Sequence, residues 1–156
     1  MISTLKSIYA LMLLAGVSLF SWGCKKDKDN PSEKGKKAKI TISVSNTFSK
    51  ADGDNFDLSV TGVNAQGEYV DWKIDGQTEK GTVILIGGDY VNGGKDNMIV
   101  ESIQNFEVGS VTISGYNITG DPITVSYKIE VNGNVKDEKT VVMKTGDDPF
   151  VVNYQL

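Results

Sequence analysis

The sequence contains no histidine, no arginine and a single cysteine among its 156 residues. Without imidazole there is no Ser/His/Asp or Cys/His relay and no nitrogen ligand of the usual kind for a metal. One cysteine permits neither an internal disulfide nor a thiolate zinc site. Without arginine there is no planar fork to grip a phosphate or carboxylate through two bonds. All 16 basic side chains are lysine, set against 20 acids for a net charge of −4, so a nucleic-acid backbone is repelled on balance and nucleic-acid binding is disfavoured. Only 3 prolines accompany 17 glycines, and this composition with 39% apolar residues bounds the chain to one globular domain with appendages.

Residues 1–23 open with positive charge at the amino terminus and Lys6, run through apolar residues from Ile8 to Phe20, and end in uncharged residues before Cys24. That order is the order of a secretory signal. The apolar run falls short of the roughly 18 residues that a spanning helix needs, which makes a permanent transmembrane anchor the weaker reading. The stretch SWGC at 21–24 resembles the lipobox of bacterial lipoproteins, in which a small residue precedes a cysteine that is acylated and becomes the mature N-terminus. Gly23 and Cys24 match that pattern; Ser21 and Trp22 depart from its commonest form, which prefers leucine and then a small residue. The resemblance implies that Cys24 is a lipid attachment site bearing fatty-acyl chains such as palmitate, with the membrane as its partner. Each buried methylene contributes about 0.8 kcal/mol, so several chains make a stable anchor where one is marginal. In that family an aspartate directly after the cysteine resembles an inner-membrane retention signal; Lys25 stands there instead, which implies the outer membrane. KKDKD at 25–29 is similar to the charged export tethers of some surface lipoproteins, and the periplasmic and surface faces both stay open.

From Lys25 to Lys39 seven lysines meet three acids, a net of +4, interrupted by Pro31, Ser32 and Gly35. Residues 24–39 therefore read as a lipidated basic tether. From Ile40 to the end eight lysines meet seventeen acids, a net of −9. Lysines beside an anionic bilayer gain about 1 kcal/mol each at close range, so the tether reinforces the anchor while the acidic domain is held off the surface.

Residues 40–156 read as one antiparallel β domain. Ile40, Ile42 and Val44 alternate with polar neighbours, as do Phe56, Leu58 and Val60, and then Val70, Trp72 and Ile74. This is the period of a strand with one wet face and one dry face. GTVILIGG at 81–88 is a continuous apolar run bounded by glycine, which suits a strand covered on both faces. Further strands are expected over 97–102, 106–114, 123–131, 135–144 and 150–154, with Ile123 to Val131 alternating without a break. NGN at 132–134 supplies the positive φ angles of a tight hairpin. Eight or nine short strands with regular turns are the cue for a β-sandwich, with a closed β-barrel as the alternative. YVDWKIDG at 69–76 resembles the core-tryptophan strand of immunoglobulin-like domains, and YKIEVNG at 127–133 the late hairpin strand of those folds, although the paired cysteines of the antibody type are missing.

The richest polar stretch is DGDNFD at 52–57, with Asp52, Asp54, Asn55 and Asp57 close in sequence. Oxygen-rich loops of this kind hold Ca2+, but the spacing is not that of an EF-hand, and an Asx-type turn explains the same residues. GDD at 146–148 is a second acidic turn that could join it. Trp72 reads as core; Tyr90 and Tyr116, beside expected loops, are better placed for an exposed stacking surface, and Tyr69 falls on the face opposite Trp72. NIT at 117–119 has the form of a glycosylation acceptor and carries no weight in a bacterial lipoprotein. No catalytic residue, metal ligand set or cofactor motif emerges. Two readings remain: a non-catalytic envelope lipoprotein whose β-sandwich binds a protein or glycan partner or serves as a structural module, and a small carboxylate-based hydrolase or Ca2+-dependent glycan-binding module. The second requires a concave site with converging acids and an aromatic wall.

Overall fold

The alternation written into the sequence becomes two antiparallel sheets in a computed structural model that describes residues 35–156. Ten strands follow in order: β1 (Ala38–Val44), β2 (Asn55–Val63), β3 (Trp72–Ile74), β4 (Gln77–Glu79), β5 (Ile84–Gly87), β6 (Lys95–Ser102), β7 (Val108–Tyr116), β8 (Ile123–Val131), β9 (Asn134–Met143) and β10 (Phe150–Gln155). A single helical turn, α1 (Gly88–Val91), joins β5 to β6. The larger sheet has the order β4-β3-β6-β1-β8-β9 and the smaller β10-β7-β2-β5. The sheets do not close on themselves, so the fold is a β-sandwich and not the barrel.

Burial follows the expected period. β8 alternates buried and half-buried residues along its whole length, and β1 does the same against it and β6. Ile40, Ile42, Ile129 and Met98 from the larger sheet meet Phe56, Leu58, Val111 and Ile113 from the smaller in one continuous core. Fully burying each such side chain contributes about 1.5–3 kcal/mol, which is what holds the two layers together. The 132–134 hairpin forms as expected, with φ of 50° at Asn132 and 74° at Gly133.

Three differences from the sequence reading have physical causes. β4 was not expected: Asp75 and Gly76, with φ of 47° and 85°, form a tight Asp-Gly turn that folds Gln77–Glu79 back onto β3. The run at 81–88 is not covered on both faces. β5 is the edge of the smaller sheet, burying Ile84 and Ile86 while Leu85 is 76% exposed. The sheet also begins inside the expected tether, because Lys36 pairs with Phe106 through both backbone bonds and Ala38 and Lys39 extend β1.

The β9 edge is guarded. Its register sets Lys139 opposite Tyr127 and Asp137 opposite Ile129, so charged residues occupy the face that is apolar on β8. Inward charge on an edge strand discourages pairing with another chain. Tyr127 Oη donates to Asp137 Oδ2 at 2.9 Å. Burial first, and this hydrogen bond second, push the Tyr127 phenol from its ordinary 10.0 up to about 12. The folded state thus favours the protonated phenol: its contribution is complete below pH 10 and is lost as pH rises through about 12. In urea titrations across that window, the wild type should lose about 2 kcal/mol more than Tyr127→Phe. Parallel pH profiles for the two proteins would contradict this coupling.

Candidate functional site

The residues singled out from sequence fall in different places. Cys24 lies outside the described residues. Trp72 is fully buried, its ring 6.2 Å from that of Phe106, and its Nε1 has no hydrogen-bond partner among the described residues. It is a core residue with no surface to offer a sugar. Tyr69 is exposed, away from that core. Asn117 of NIT is buried and donates through Nδ2 to the carbonyls of Asp121 and Met143 at 2.8 and 3.3 Å.

The acids of DGDNFD do not converge. A short 3-10 turn at Lys50–Asp52 leads towards β2; Asp54, just ahead of the strand, is buried, while Asp57 within it is exposed. Asp54 accepts from the backbone N–H of Ser49 at 2.9 Å through Oδ2 and from that of Ile118 at 3.2 Å through Oδ1. Asp57 accepts instead from Asn55 Nδ2. In the second acidic turn Asp147 Oδ2 accepts from the Lys144 N–H at 2.9 Å. The 117–121 segment reaches both turns, through Thr119 to the Asp52 carbonyl and through Gly120 to Thr145. Even so, among the described residues no three acids or cysteines are placed to hold a metal ion.

What sequence reasoning missed is a cleft of about 440 Å³ where the β4 edge of one sheet and the β5 edge of the other leave the sandwich open. Ile74, Ile84, Leu85 and Ile86 give it apolar walls, Tyr90 an aromatic one, and Glu79 and Asp89 carboxylates. Tyr90 of α1 is the one stacking candidate from the sequence that lines this cleft; Tyr116 borders a separate shallow hollow beside Ile118 and Pro149. The available signal was the excess of apolar residues in 81–88, which an edge strand does not need for packing.

Tyr90 is fixed by charge. Its Oη donates to Asp75 Oδ2 at 2.9 Å, the same oxygen that Lys95 Nζ reaches at 2.9 Å, and Lys95 lies 4.9 Å from the centre of the Tyr90 ring. Asp75 Oδ1 accepts from the Ile99 N–H at 2.8 Å. Partial burial opposes ionisation of Asp75, but the bonds from Ile99, Lys95 and Tyr90 together outweigh it and hold the carboxyl below its ordinary value. Burial and then the Asp75 bond push the Tyr90 phenol up, and the Asp75 bond raises Lys95. The turn that creates β4 therefore also positions the ring, since Asp75 is its first residue.

An open-sided β-sandwich with a cleft between sheet edges is the class that the structure defines. No family model matches the chain, and no curated protein matches it. Solved structures share the fold. A DUF4425 family protein from Bacteroides ovatus is 12% identical, with 78% of this chain and 94% of that one covered at a TM-score of 0.53. The calcium-bound form of a protein from Parabacteroides distasonis is 18% identical, covering 82% and 98% at 0.54. A DUF4425 domain of unknown function from Bacteroides vulgatus is 13% identical, covering 77% and 92% at 0.55.

Proposed function

We propose that the chain is a non-catalytic lipoprotein of the outer membrane, anchored by acyl chains on Cys24, whose β-sandwich binds a protein or glycan partner in the β4–β5 cleft. The observation that carries the binding role is the cleft itself: an exposed Leu85 and the buried Ile74, Ile84 and Ile86 line it beside a tyrosine whose orientation is held by Asp75 and Lys95. Concave, mostly apolar sites with a few fixed polar groups are where ligands bind. The anchor rests on the SWGC resemblance and on the basic tether that follows it.

The carboxylate readings fare less well. Glu79 and Asp89 share the cleft with Tyr90, but no buried base or positioned nucleophile accompanies them, and Asp89 is engaged by Lys50. The calcium-bound neighbour keeps metal-assisted binding in view for this fold; in this chain Asp54 is buried and Asp57 exposed, each with its own hydrogen-bond partners.

Two measurements test the proposal. Mass spectrometry of the mature protein should find an acylated Cys24 as the first residue, and Cys24→Ala should leave the membrane fraction. An unmodified Cys24 behind an intact residue 1–23 segment would overturn the anchor. On a glycan array, a glycan bound in the cleft should lose at least tenfold in affinity with Tyr90→Ala, a loss of order 1.4 kcal/mol or more. Binding that ignores Tyr90 would move the site elsewhere, and failure of both glycans and peptides would end the binding role.

A further inference from the structure

Resting on the cleft as the binding site, we infer that its occupant is an extended peptide segment of a partner protein, added as a strand to the β5 edge and carrying a basic side chain for Glu79. β5 has a hydrogen-bonded neighbour, β2, on one side only. An unpaired edge offers a row of backbone donors and acceptors that an extended peptide can complete, with side-chain pockets supplying selectivity. The two faces of such a strand would meet different surroundings. Inward residues enter the cleft over Ile74, Ile84 and Ile86 beside Tyr90; outward ones lie against Leu85, which is 76% exposed.

The edge lacks the guards found at the two edges of the larger sheet. β4 is three exposed polar residues, and β9 turns Asp137 and Lys139 onto its apolar face. β5 reads Ile-Leu-Ile-Gly, without charge or proline, and its pairing with β2 runs without a bulge. An unpaired edge with a leucine 76% exposed is a liability unless it is used.

Charge selects the partner. The lining of the cleft contains Glu79 and Asp89 and no lysine. Asp89 pairs with Lys50, whereas Glu79 makes no ion pair among the described residues. A lysine or arginine on the incoming strand would complement Glu79. A second copy of this chain would instead bring the same carboxylates, on a domain carrying seventeen acids against eight lysines, towards each other. A glycan would find one ring, one exposed leucine and three buried isoleucines in the cleft, which serve an apolar side chain better than a sugar.

The test selects 12-residue peptides from a phage-displayed library on the full chain in detergent. Enriched peptides should alternate apolar residues with lysine or arginine. Their affinity should fall at least tenfold with Leu85→Lys, which guards the edge, and with Glu79→Lys, which reverses the rim; both positions are exposed, so melting temperature should be unchanged. Amide exchange across Ile84–Gly87 should slow at least tenfold in the complex. No enrichment, a consensus without basic residues, or affinity indifferent to both variants would overturn the inference, as would β5 protection that grows with protein concentration in the absence of peptide. If peptides fail while a glycan binds in a Tyr90-dependent way, the cleft reading stands and the peptide assignment falls.

Discussion

Replacing Phe106 by alanine should lower stability by about 3–5 kcal/mol, the cost of deleting a buried aromatic ring whose surroundings cannot collapse. The reason they cannot is specific. Gly62 of β2 and Gly109 of β7 face each other across the smaller sheet, and the Phe106 ring covers both. A β-carbon placed on Gly62 would lie 3.3 Å from Phe106 Cγ, and one on Gly109 would lie 3.2 Å from Cε2. The ring therefore fills the space of two missing side chains, a known way of sheltering glycine in a sheet. On its other flank it packs against Trp72. Its backbone holds Lys36 through N–H to O bonds of 2.7 and 2.9 Å, fastening the start of the domain beside the C-terminus, where Leu156 bonds to Gly109 and Lys36 Nζ. Urea titration should show the loss, with melting lowered by about 12 °C or more. Phe106→Leu retains much of the volume and should cost less than half as much. A change within about 1 kcal/mol for the alanine variant would mean that the glycine pair is sheltered by something else.

Most of the sandwich was legible because its strands are half-buried, and a half-buried strand must alternate. Ile123 to Val131 could hardly be read otherwise, and Asn132-Gly133 after it marks the turn. β4 escaped because Gln77–Glu79 buries nothing; only the Asp75-Gly76 turn signalled it. β5 was misread because its pattern is continuous, and continuity alone does not tell a central strand from an edge whose outward residue is also apolar. The cleft was illegible for a related reason. It exists only where two edges from different sheets come together, and neither strand order nor the path of Tyr90 onto Asp75 can be derived from local patterning. Tyr90 was singled out for standing beside a loop, and what gives it a place in a site is the Asp75–Lys95 pair beneath it.

Asp54→Ala should destabilise the domain by about 2–4 kcal/mol, and by the same amount with and without calcium. Asp54 is only 6% exposed, and its two carboxylate oxygens receive backbone N–H groups from Ser49 beside it and from Ile118, 64 residues further along the chain in the loop after β7. Alanine would leave both donors without their acceptor, and each hydrogen bond to a charged group is worth about 1.5–3 kcal/mol. Asp57→Ala removes an exposed acid of the same stretch whose partner is the neighbouring Asn55 side chain, and it should stay within about 0.5 kcal/mol of wild type. Melting curves of the three proteins in chelator and in millimolar calcium separate a tie from a ligand. A group that ligates a metal bound only by the folded state must raise the melting temperature when metal is added, and its loss must abolish that rise. A tie between loops lowers stability equally in both buffers. If wild type gains several degrees in calcium and Asp54→Ala gains none, the loop is a metal site after all, with Asp54 as its inward ligand. The geometry favours the tie: Asp54, just ahead of β2, is buried with both oxygens taken by backbone N–H groups, while Asp57 on β2 is exposed and bonded to Asn55.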